Sequence, residues 1–355
     1  MPKLTIGDRT ARLPIIQGGM AVRISLSPLA SAVAEAGGIG VIAGSGLSVS
    51  ELRREVRKAR EATSGVIGVN VMVAISKFRE LVRAAMEEGA DVIIAGAGFS
   101  RDIFGWGKEF KVPIVPIVGS ARVAKLSERF GAAAVVVEGV EAGGHLGTDR
   151  LMKDLLPDIL EAVSIPVIGA GGVVTGSDIK DVLDMGAAGV QMGSRFVATQ
   201  ESSAPQAFKQ MYVDATPDQV VIVKSPVGLP GRALKNPFWE RTQEGVYPAL
   251  PSCRNCLKVC HKEYCIIDQL ELAQGGDVTM VWCSPALRQR VCTTSRPSQT
   301  SWRDSSPSGK RQKEPPREKD RNHSHWGSHA HRCGHAGHVG LARQRALGYL
   351  DDRTL

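Results

Sequence analysis

Residues 165–195 read IPVIGAGGVVTGSDIKDVLDMGAAGVQMGSR. Two short apolar segments, residues 165–170 and 189–192, flank a stretch with helical character. Each segment is too short for a buried helix and has no polar face, which is typical of a strand covered on both sides in a parallel sheet. Small residues follow both segments, Gly171-Gly172 after the first and Gly193-Ser194 after the second. The stretch therefore predicts a strand–helix–strand unit whose strands end in glycine-rich loops.

The same alternation of apolar and amphipathic segments extends over the first 200 residues or so. Helix signals separate the apolar segments, among them Ser27-Pro28, a capping box from Ser48 to Glu51, and Ser120. Eight strand–helix units of this size predict the α/β class and a (β/α)8 TIM barrel. An open, doubly wound sheet is the alternative, although it usually has fewer units. The eight apolar segments are residues 13–17, 39–43, 66–71, 92–95, 112–118, 133–138, 165–170 and 189–192.

The positive charge of the chain is confined to its C-terminal end. The 355 residues have a formal net charge of +8. Residues 280–355 hold 14 Lys and Arg against 6 Asp and Glu, so the rest of the chain is neutral and offers no basic surface to nucleic acid. The change in composition predicts three parts: a barrel at 1–200, a C-terminal covering segment with a cysteine cluster at 201–279, and a basic, disordered tail at 280–355.

The tail lacks helical or strand periodicity and is rich in Ser, Arg, Pro and His. Degenerate codons for residues 279–285, read one base earlier, permit Asn-Gly-Leu-Val-Phe-Thr-Gly. The shifted frame then continues into a pattern typical of a strand followed by a helix. We therefore hypothesise a frameshift near Thr279, with a naturally disordered tail as the alternative. Resequencing the locus distinguishes the two.

The sequence predicts neither a membrane span nor a signal peptide. No apolar run approaches the ~18 residues that a bilayer span needs. Residues 1–3 lead almost at once into the first apolar segments, without the charged and apolar regions of a signal peptide. We therefore expect a cytoplasmic protein with no membrane partner, and the oligomeric state stays open.

In a TIM barrel the active site lies at the carboxyl ends of the strands. Loops 171–172 and 193–194 follow the seventh and eighth strands, where bare backbone N–H groups form a phosphate site. The downstream glycine and acidic ribose partner of a dinucleotide fingerprint are absent. Other strand ends carry the neutral groups of Met20, Asn70 and Gln191 rather than metal-binding carboxylates. FMN therefore fits these strand ends better than NAD.

His145 is the only histidine of the predicted barrel, and it follows Gly143-Gly144 after the sixth strand. Two residues without side chains leave room for an imidazole beside a flat cofactor and its substrate. A side chain that titrates near neutrality can exchange a proton with carbon. No nucleophilic Ser or Cys and no zinc-binding spacing accompanies it. We predict acid–base catalysis coupled to flavin chemistry, with a structural histidine as the alternative.

Four stretches resemble the nitronate monooxygenase family, formerly called 2-nitropropane dioxygenases: PIIQGGM at 14–20, EGVEAGGHLG at 138–147, IPVIGAGG at 165–172 and GVQMGSRF at 189–196. The family also includes FMN-dependent type II enoyl-acyl-carrier-protein reductases. The resemblance extends from residue 1 to about 279, and it implies an FMN barrel with His145 near the reacting carbon. The residues it places around the flavin are Gly19, Met20, Asn70, Lys125, Gly143, Gly144, Gly171, Gly172, Gln191, Gly193 and Ser194.

Lys125 is the one cation in that set. It lies in the helix after the fifth strand. It is either a solvated helix lysine or a cation near the pyrimidine edge of the flavin, where negative charge accumulates on reduction.

Two activities share these motifs. In the first, O2 and an alkyl nitronate, a small-molecule substrate, yield a carbonyl compound and nitrite. In the second, NAD(P)H reduces FMN, which passes hydride to an enoyl thioester. The motifs do not choose between the two; nitronate monooxygenase is our prediction and the reductase is the alternative.

Two features follow the barrel. Residues 225–236, SPVGLPGRALKN, resemble the covering segment of the family, in which Arg232 or Lys235 either meets an anionic substrate group or faces solvent. Four cysteines, Cys253, Cys256, Cys260 and Cys265, are either ligands of zinc or an iron–sulfur cluster or reduced structural thiols. Their spacing matches neither common ferredoxin pattern, so no metal site is predicted and the four thiols stay candidates only.

Overall fold

Eight parallel strands close into a barrel in the computed structural model, which describes residues 1–250 and 252–277. In chain order the strands are β1 (Leu4–Ile6), β2 (Arg9–Ala11), β3 (Ile15–Gln17), β4 (Ile39–Ala43), β5 (Val66–Met72), β6 (Val92–Gly96), β7 (Ile114–Val118), β8 (Val135–Glu138), β9 (Gly144–His145), β10 (Val167–Ala170), β11 (Gly189–Met192), β12 (Val220–Lys224) and β13 (Pro230–Leu234). The order around the barrel is β10-β11-β3-β4-β5-β6-β7-β8, and the pairing of β8 with β10 closes it. The predicted TIM barrel is confirmed.

Helices connect successive barrel strands. Two of them begin as the sequence predicts, because the Ser48 side chain accepts a hydrogen bond from the Glu51 N–H at 3.2 Å and Ser120 accepts one from the Val123 N–H at 3.4 Å. The helices are α1 (Ser27–Glu35), α2 (Val49–Ala62), α3 (Phe78–Glu87), α4 (Asp102–Phe110), α5 (Ala121–Phe130), α6 (Met152–Ala162), α7 (Gly176–Asp184), α8 (Ser194–Val197), α9 (Gln206–Asp214), α10 (Pro237–Gln243) and α11 (Ile266–Gln274), with a 3₁₀ helix at Pro217–Gln219.

Four barrel strands begin later than predicted, β8 at Val135 and three others directly after a proline. Pro14 precedes β3, Pro113 precedes β7 and Pro166 precedes β10. Proline has no N–H to donate to a neighbouring strand, although its carbonyl still accepts. Val190, Ile93 and Val135 donate backbone hydrogen bonds to these three carbonyls at 2.9–3.0 Å. The apolar pattern alone does not reveal this boundary.

Side chains alternate between the interior of the barrel and the layer of helices. On β8, Val136 packs inside with Ile16, Val41 and Ile168, whereas Val135 and Val137 pack outside against α6. The β1–β2 hairpin contributes Leu4, Ile6 and Ala11 to the interior cluster. A Cβ on Gly189, the first residue of β11, would lie 3.2 Å from Leu4, so the hairpin covers the amino end of the barrel.

Residues after α8 form a three-stranded antiparallel sheet that includes part of a barrel loop. In this sheet β13 pairs with β12 on one side and with β9 on the other. Because β9 follows the end of β8, the sheet lies over the carboxyl face of the barrel, where the sequence predicts a covering segment. The domain boundaries at residues 200 and 279 stay predictions.

The predicted tail at 280–355 and the frameshift near Thr279 lie outside the described residues. None of the helices in the described part of the chain has the length and apolar character needed to span a bilayer.

Helix α1 packs so closely on β4 that only glycine fits at residue 40. A Cβ on Gly40 would lie 1.8 Å from the Ala30 carbonyl oxygen. We expect Gly40→Ala to lower the free energy of unfolding by about 2–3 kcal/mol, because the helix must move off the sheet. Gly105, exposed in α4 with open space around it, is the matched control, and Gly105→Ala should stabilise by about 0.5–1 kcal/mol. Urea unfolding of both variants measures the difference, and equal stabilities would contradict the packing.

Candidate active site

A cavity of about 240 Å³ opens at the carboxyl ends of the barrel strands. Its walls come from the loops after β3, β8, β10 and β11 and from helices α9 and α11. All predicted cofactor residues except Lys125 line it, together with His145: Gly19, Met20, Asn70, Gly143, Gly144, Gly171, Gly172, Gln191, Gly193 and Ser194. The structure therefore brings together residues that are more than 170 positions apart in the sequence.

The floor of the cavity is the last inward-facing layer of the barrel. Asn70, Glu138 and Gln191 line the cavity from inward-facing positions at the ends of their strands, two residues after Gly68, Val136 and Gly189. The Asn70 amide donates to the Ile94 carbonyl at 3.3 Å, whereas the buried Gln191 Oε1 has no partner among the described residues. The apolar core thus ends in a layer with three polar side chains, and one of these offers an unused acceptor to a ligand.

Gly19 keeps Asn70 in this layer. A Cβ on Gly19 would lie 2.4 Å from the Asn70 Cβ. Any larger residue in the loop after β3 therefore displaces the Asn70 side chain, which explains why the strand ends in two glycines.

The loops after β10 and β11 leave their backbones open to the cavity. Gly171 and Gly172 have φ values of +100° and +72°, a region that residues with a Cβ rarely adopt. A Cβ on Gly193 would meet nothing nearer than the Met20 side chain at 3.9 Å, so glycine leaves free space there. Among the described residues that line the cavity, none is Lys or Arg. An anionic group here would therefore be held by backbone N–H groups.

His145 is held from two directions. Its backbone forms β9, where it pairs with Gly231 of β13, and its Nε2 lies 2.7 Å from the Ser225 Oγ. The Ser225 Oγ also accepts from the Val227 N–H at 3.3 Å, and Ser225 is buried. Burial lowers the pKa of His145 to about 4, so the imidazole is neutral at physiological pH. A neutral imidazole fixed at the rim of the cavity can accept a proton.

Glu138 ends β8 and shares the cavity with His145. Among the described residues its carboxyl has no hydrogen-bond or ion-pair partner. Burial raises the pKa of Glu138 to about 8, so the carboxyl is protonated at neutral pH. Glu138 and His145 are consequently both uncharged near pH 7.

One wall of the cavity was not predicted from the sequence. Phe208 and Tyr212 of α9 and Ile266 and Leu270 of α11 line it. Both pairs have the i, i+4 spacing of one helix face, which predicts a buried stripe but does not indicate what the stripe covers. The segment after the barrel therefore supplies an apolar wall opposite the polar floor.

Three predicted cations lie elsewhere. Lys125 is exposed on α5, whose buried face is formed by Ala124 and Ser127, so the structure does not bring it to the cavity. Arg232 is buried and donates from Nε to the Ala142 carbonyl at 2.9 Å and from Nη2 to the Val140 carbonyl, so it holds the His145 loop. Lys235 is exposed, with Nζ 5.5 Å from the centre of the Trp239 ring.

The four cysteines after the barrel are free thiols in the structure: Cys253, Cys256, Cys260 and Cys265. Burial raises the pKa of Cys256 and of Cys265, which disfavours the thiolate that a metal needs. Residues 1–250 and 252–277 contain no group of three or more His, Cys, Asp or Glu side chains arranged to hold a metal ion. The structure thus gives no support to zinc or an iron–sulfur cluster at these cysteines.

Fold, site and relatives together place the chain in a family of flavin-dependent oxidoreductases. The profile of the nitronate monooxygenase family matches residues 5–81 and 73–284, and the chain belongs to this family. Probable nitronate monooxygenases from Staphylococcus aureus are 30% identical to it, over 67% of this chain and 80% of theirs. The resemblance noted in the motifs is confirmed.

Other relatives differ in their named activities. One is a dehydrogenase of Mycobacterium tuberculosis, the (3aS,4S,5R,7aS)-5-hydroxy-7a-methyl-1-oxo-octahydro-1H-indene-4-carboxyl-CoA dehydrogenase. It is 34% identical to this chain, and the match covers 65% of this chain and 66% of the dehydrogenase. The protein of the same name from Rhodococcus jostii is 33% identical over 62% of each chain. This chain therefore spans just under two thirds of the length of these two dehydrogenases.

Two solved structures share the fold over most of their length. FabK from Thermotoga maritima superposes with a TM-score of 0.73 and 29% identity, and the superposition covers 83% of this chain and 91% of the FabK chain. Nitroalkane oxidase from Streptomyces ansochromogenes gives a TM-score of 0.70 and 25% identity, covering 83% and 94%.

The neutral state of His145 predicts its response to acid. Because the pKa lies near 4 in the folded protein and near 6.5 in an unfolded chain, the unfolded state binds the proton first. The contribution of His145 to stability is therefore complete above pH 6.5 and declines as the pH falls towards 4. In an NMR titration we expect the His145 ring signals, assigned with His145→Asn, to stay fixed between about pH 5.5 and 8. A midpoint near 6.5 would show that the ring is solvated.

Proposed function

We propose that the protein is an FMN-dependent nitronate monooxygenase, in which an alkyl nitronate and O2 yield a carbonyl compound and nitrite. The observation that carries the proposal is the juxtaposition of a neutral, immobilised His145 with the polar floor and bare backbone loops of one cavity. The family relationship and the S. aureus relatives support the same reaction.

The residues present fit FMN. The unsatisfied Oε1 of Gln191 is an acceptor for a ligand N–H or O–H, and the space at Gly193 admits a group close to the backbone. Gly171, Gly172, Gly193 and Ser194 would hold the phosphate, and Asn70 and Gln191 would contact the ring system. Bound FMN supplies the electron-transfer chemistry that the side chains of this cavity lack.

The protein's own groups bind, orient and move protons. The apolar wall of Phe208, Tyr212, Ile266 and Leu270 receives the hydrocarbon part of the substrate and excludes water. An alkyl nitronate has already lost its carbon proton, so the proton that His145 accepts is that of the neutral nitroalkane, the conjugate acid of the nitronate. Ser225 keeps the ring in place for that transfer. Arg232 keeps the loop before His145 closed through two of its carbonyls.

A thioester substrate is the second candidate. It is favoured by the apolar wall and by the 34% identity to a dehydrogenase named for a polycyclic acyl-CoA. In that case NAD(P)H would reduce the flavin and an enoyl thioester would accept hydride, as in the alternative that the motifs leave open.

Gly193→Ala tests the phosphate loop. Its Cβ would enter free space, so we expect unchanged thermal stability of the apoprotein, but a methyl group in the loop should weaken FMN binding by roughly tenfold to a hundredfold. Quenching of FMN fluorescence measures the dissociation constant. Gly147→Ala, at an exposed glycine with open space in the loop after β9, is the matched control and should bind FMN like the wild type. Equal affinities for all three proteins would place the phosphate elsewhere.

Anaerobic spectroscopy separates the two activities. An alkyl nitronate should bleach the bound flavin while NAD(P)H alone does so slowly; the reverse result would favour the thioester reaction. We expect His145→Ala to retain FMN and to lower kcat with the neutral nitroalkane roughly 10²- to 10⁴-fold. His261→Ala, at an exposed histidine outside the cavity, should keep full activity. Unchanged turnover of His145→Ala would remove its assigned role.

A further inference from the structure

Among the described residues that line the cavity, Glu138 is the one with a carboxyl group, and the proposed function does not use it. It lies at the end of β8, two residues after the interior side chain of Val136, and pairs in register with Ala170. Its side chain therefore lies directly above the apolar interior of the barrel, in the same layer as Asn70 and Gln191.

Within residues 1–250 and 252–277, no charged group stabilises the ionised form of Glu138. The neighbouring strand residues Ile117 and Ala170 are apolar. Of the titratable groups near it, His145 is neutral, and the buried carboxyl of Glu141 lies against Gly172, where a Cβ would be 2.7 Å from Oε2. Arg232 is engaged with two backbone carbonyls. Desolvation alone accounts for the raised pKa of Glu138, near 8.

We propose that Glu138 is a proton-bearing residue of the flavin site, which donates a hydrogen bond to FMN when neutral and weakens FMN binding when ionised. The inference rests on the proposed cofactor. It follows from position, because Asn70 and Gln191 are the groups that fit the flavin, and Glu138 lines the same cavity from the carboxyl end of its own strand. The floor then offers the ligand an acceptor at Gln191 Oε1 and a donor at Glu138.

Ionisation reverses the role of Glu138. A carboxylate has no proton to donate and repels the phosphate of FMN and the negative charge that the ring gains on reduction. Binding of FMN should therefore weaken as the pH rises through about 8, and reduced FMN should be affected more than oxidised FMN.

Three variants separate the donor from the charge. Glu138→Gln keeps an N–H donor of the same shape but cannot ionise, Glu138→Leu keeps the volume without a donor, and Glu61→Gln, at an exposed residue of α2, is the matched control. At pH 7 we expect Glu138→Gln to bind FMN within about twofold of the wild type and Glu138→Leu to bind about tenfold more weakly. From pH 7 to 9.5 the wild type and Glu61→Gln should lose at least about tenfold in affinity, and Glu138→Gln should not.

Infrared spectroscopy tests the proton directly. A protonated-carboxyl band should be present in the wild type at pH 7, be absent in Glu138→Gln and fade with a midpoint near 8. FMN itself also ionises as the pH changes, and this alters its affinity for all variants equally. The test therefore compares the pH dependence of the wild type with that of each variant. FMN affinities of wild type and Glu138→Gln that run parallel across pH, or absence of the band, would overturn this inference alone. A wild-type protein that binds no FMN at pH 7 would overturn both the proposed cofactor and this inference. A protein that binds FMN but does not react with nitronates would leave both intact.

Discussion

The alternation of side chains along eight parallel strands is the constraint on which the rest of the structure depends. Inward positions hold apolar side chains such as Val136 and Ile168 through most of the barrel, and then change at the last layer to Asn70, Glu138 and Gln191. Since all eight strands run the same way, this change occurs at one face only. The low polarity beneath that layer is also what keeps the Glu138 proton and the unpaired Gln191 oxygen available to a ligand.

Local pattern was sufficient for the barrel and for most of the cavity. Strands buried on both faces, and glycines at their carboxyl ends, are features of short segments, so the sequence predicts them and the closed barrel brings their ends together. The late starts of the strands after Pro14, Pro113 and Pro166 were not predicted, because the hydrophobic pattern does not show that proline lacks an N–H. Glu138 stood within a quoted motif, but its raised pKa depends on the desolvation that only the folded barrel provides.

Long-range contacts account for the other differences. Nothing near Ser225 in the sequence indicates that its hydroxyl lies 2.7 Å from a ring nitrogen 80 residues earlier. Arg232 has the charge of a substrate ligand, yet its partners are the Val140 and Ala142 carbonyls, which a sequence pattern cannot identify. Lys125 does not line the cavity for a simpler reason, since its side chain is exposed on α5 and lies off the buried face of that helix.

Strand β9 belongs to two structures at once, because it is the end of a barrel loop and the edge of the covering sheet. The covering segment therefore has no independent hinge at the histidine: whatever displaces β13 also displaces the imidazole. Changes in helices α9 and α11, which form the wall, can therefore alter the shape of the cavity without moving the sheet that carries His145. The wall and the support of the histidine can vary independently, although α9, α11, β12 and β13 all lie between residues 201 and 277.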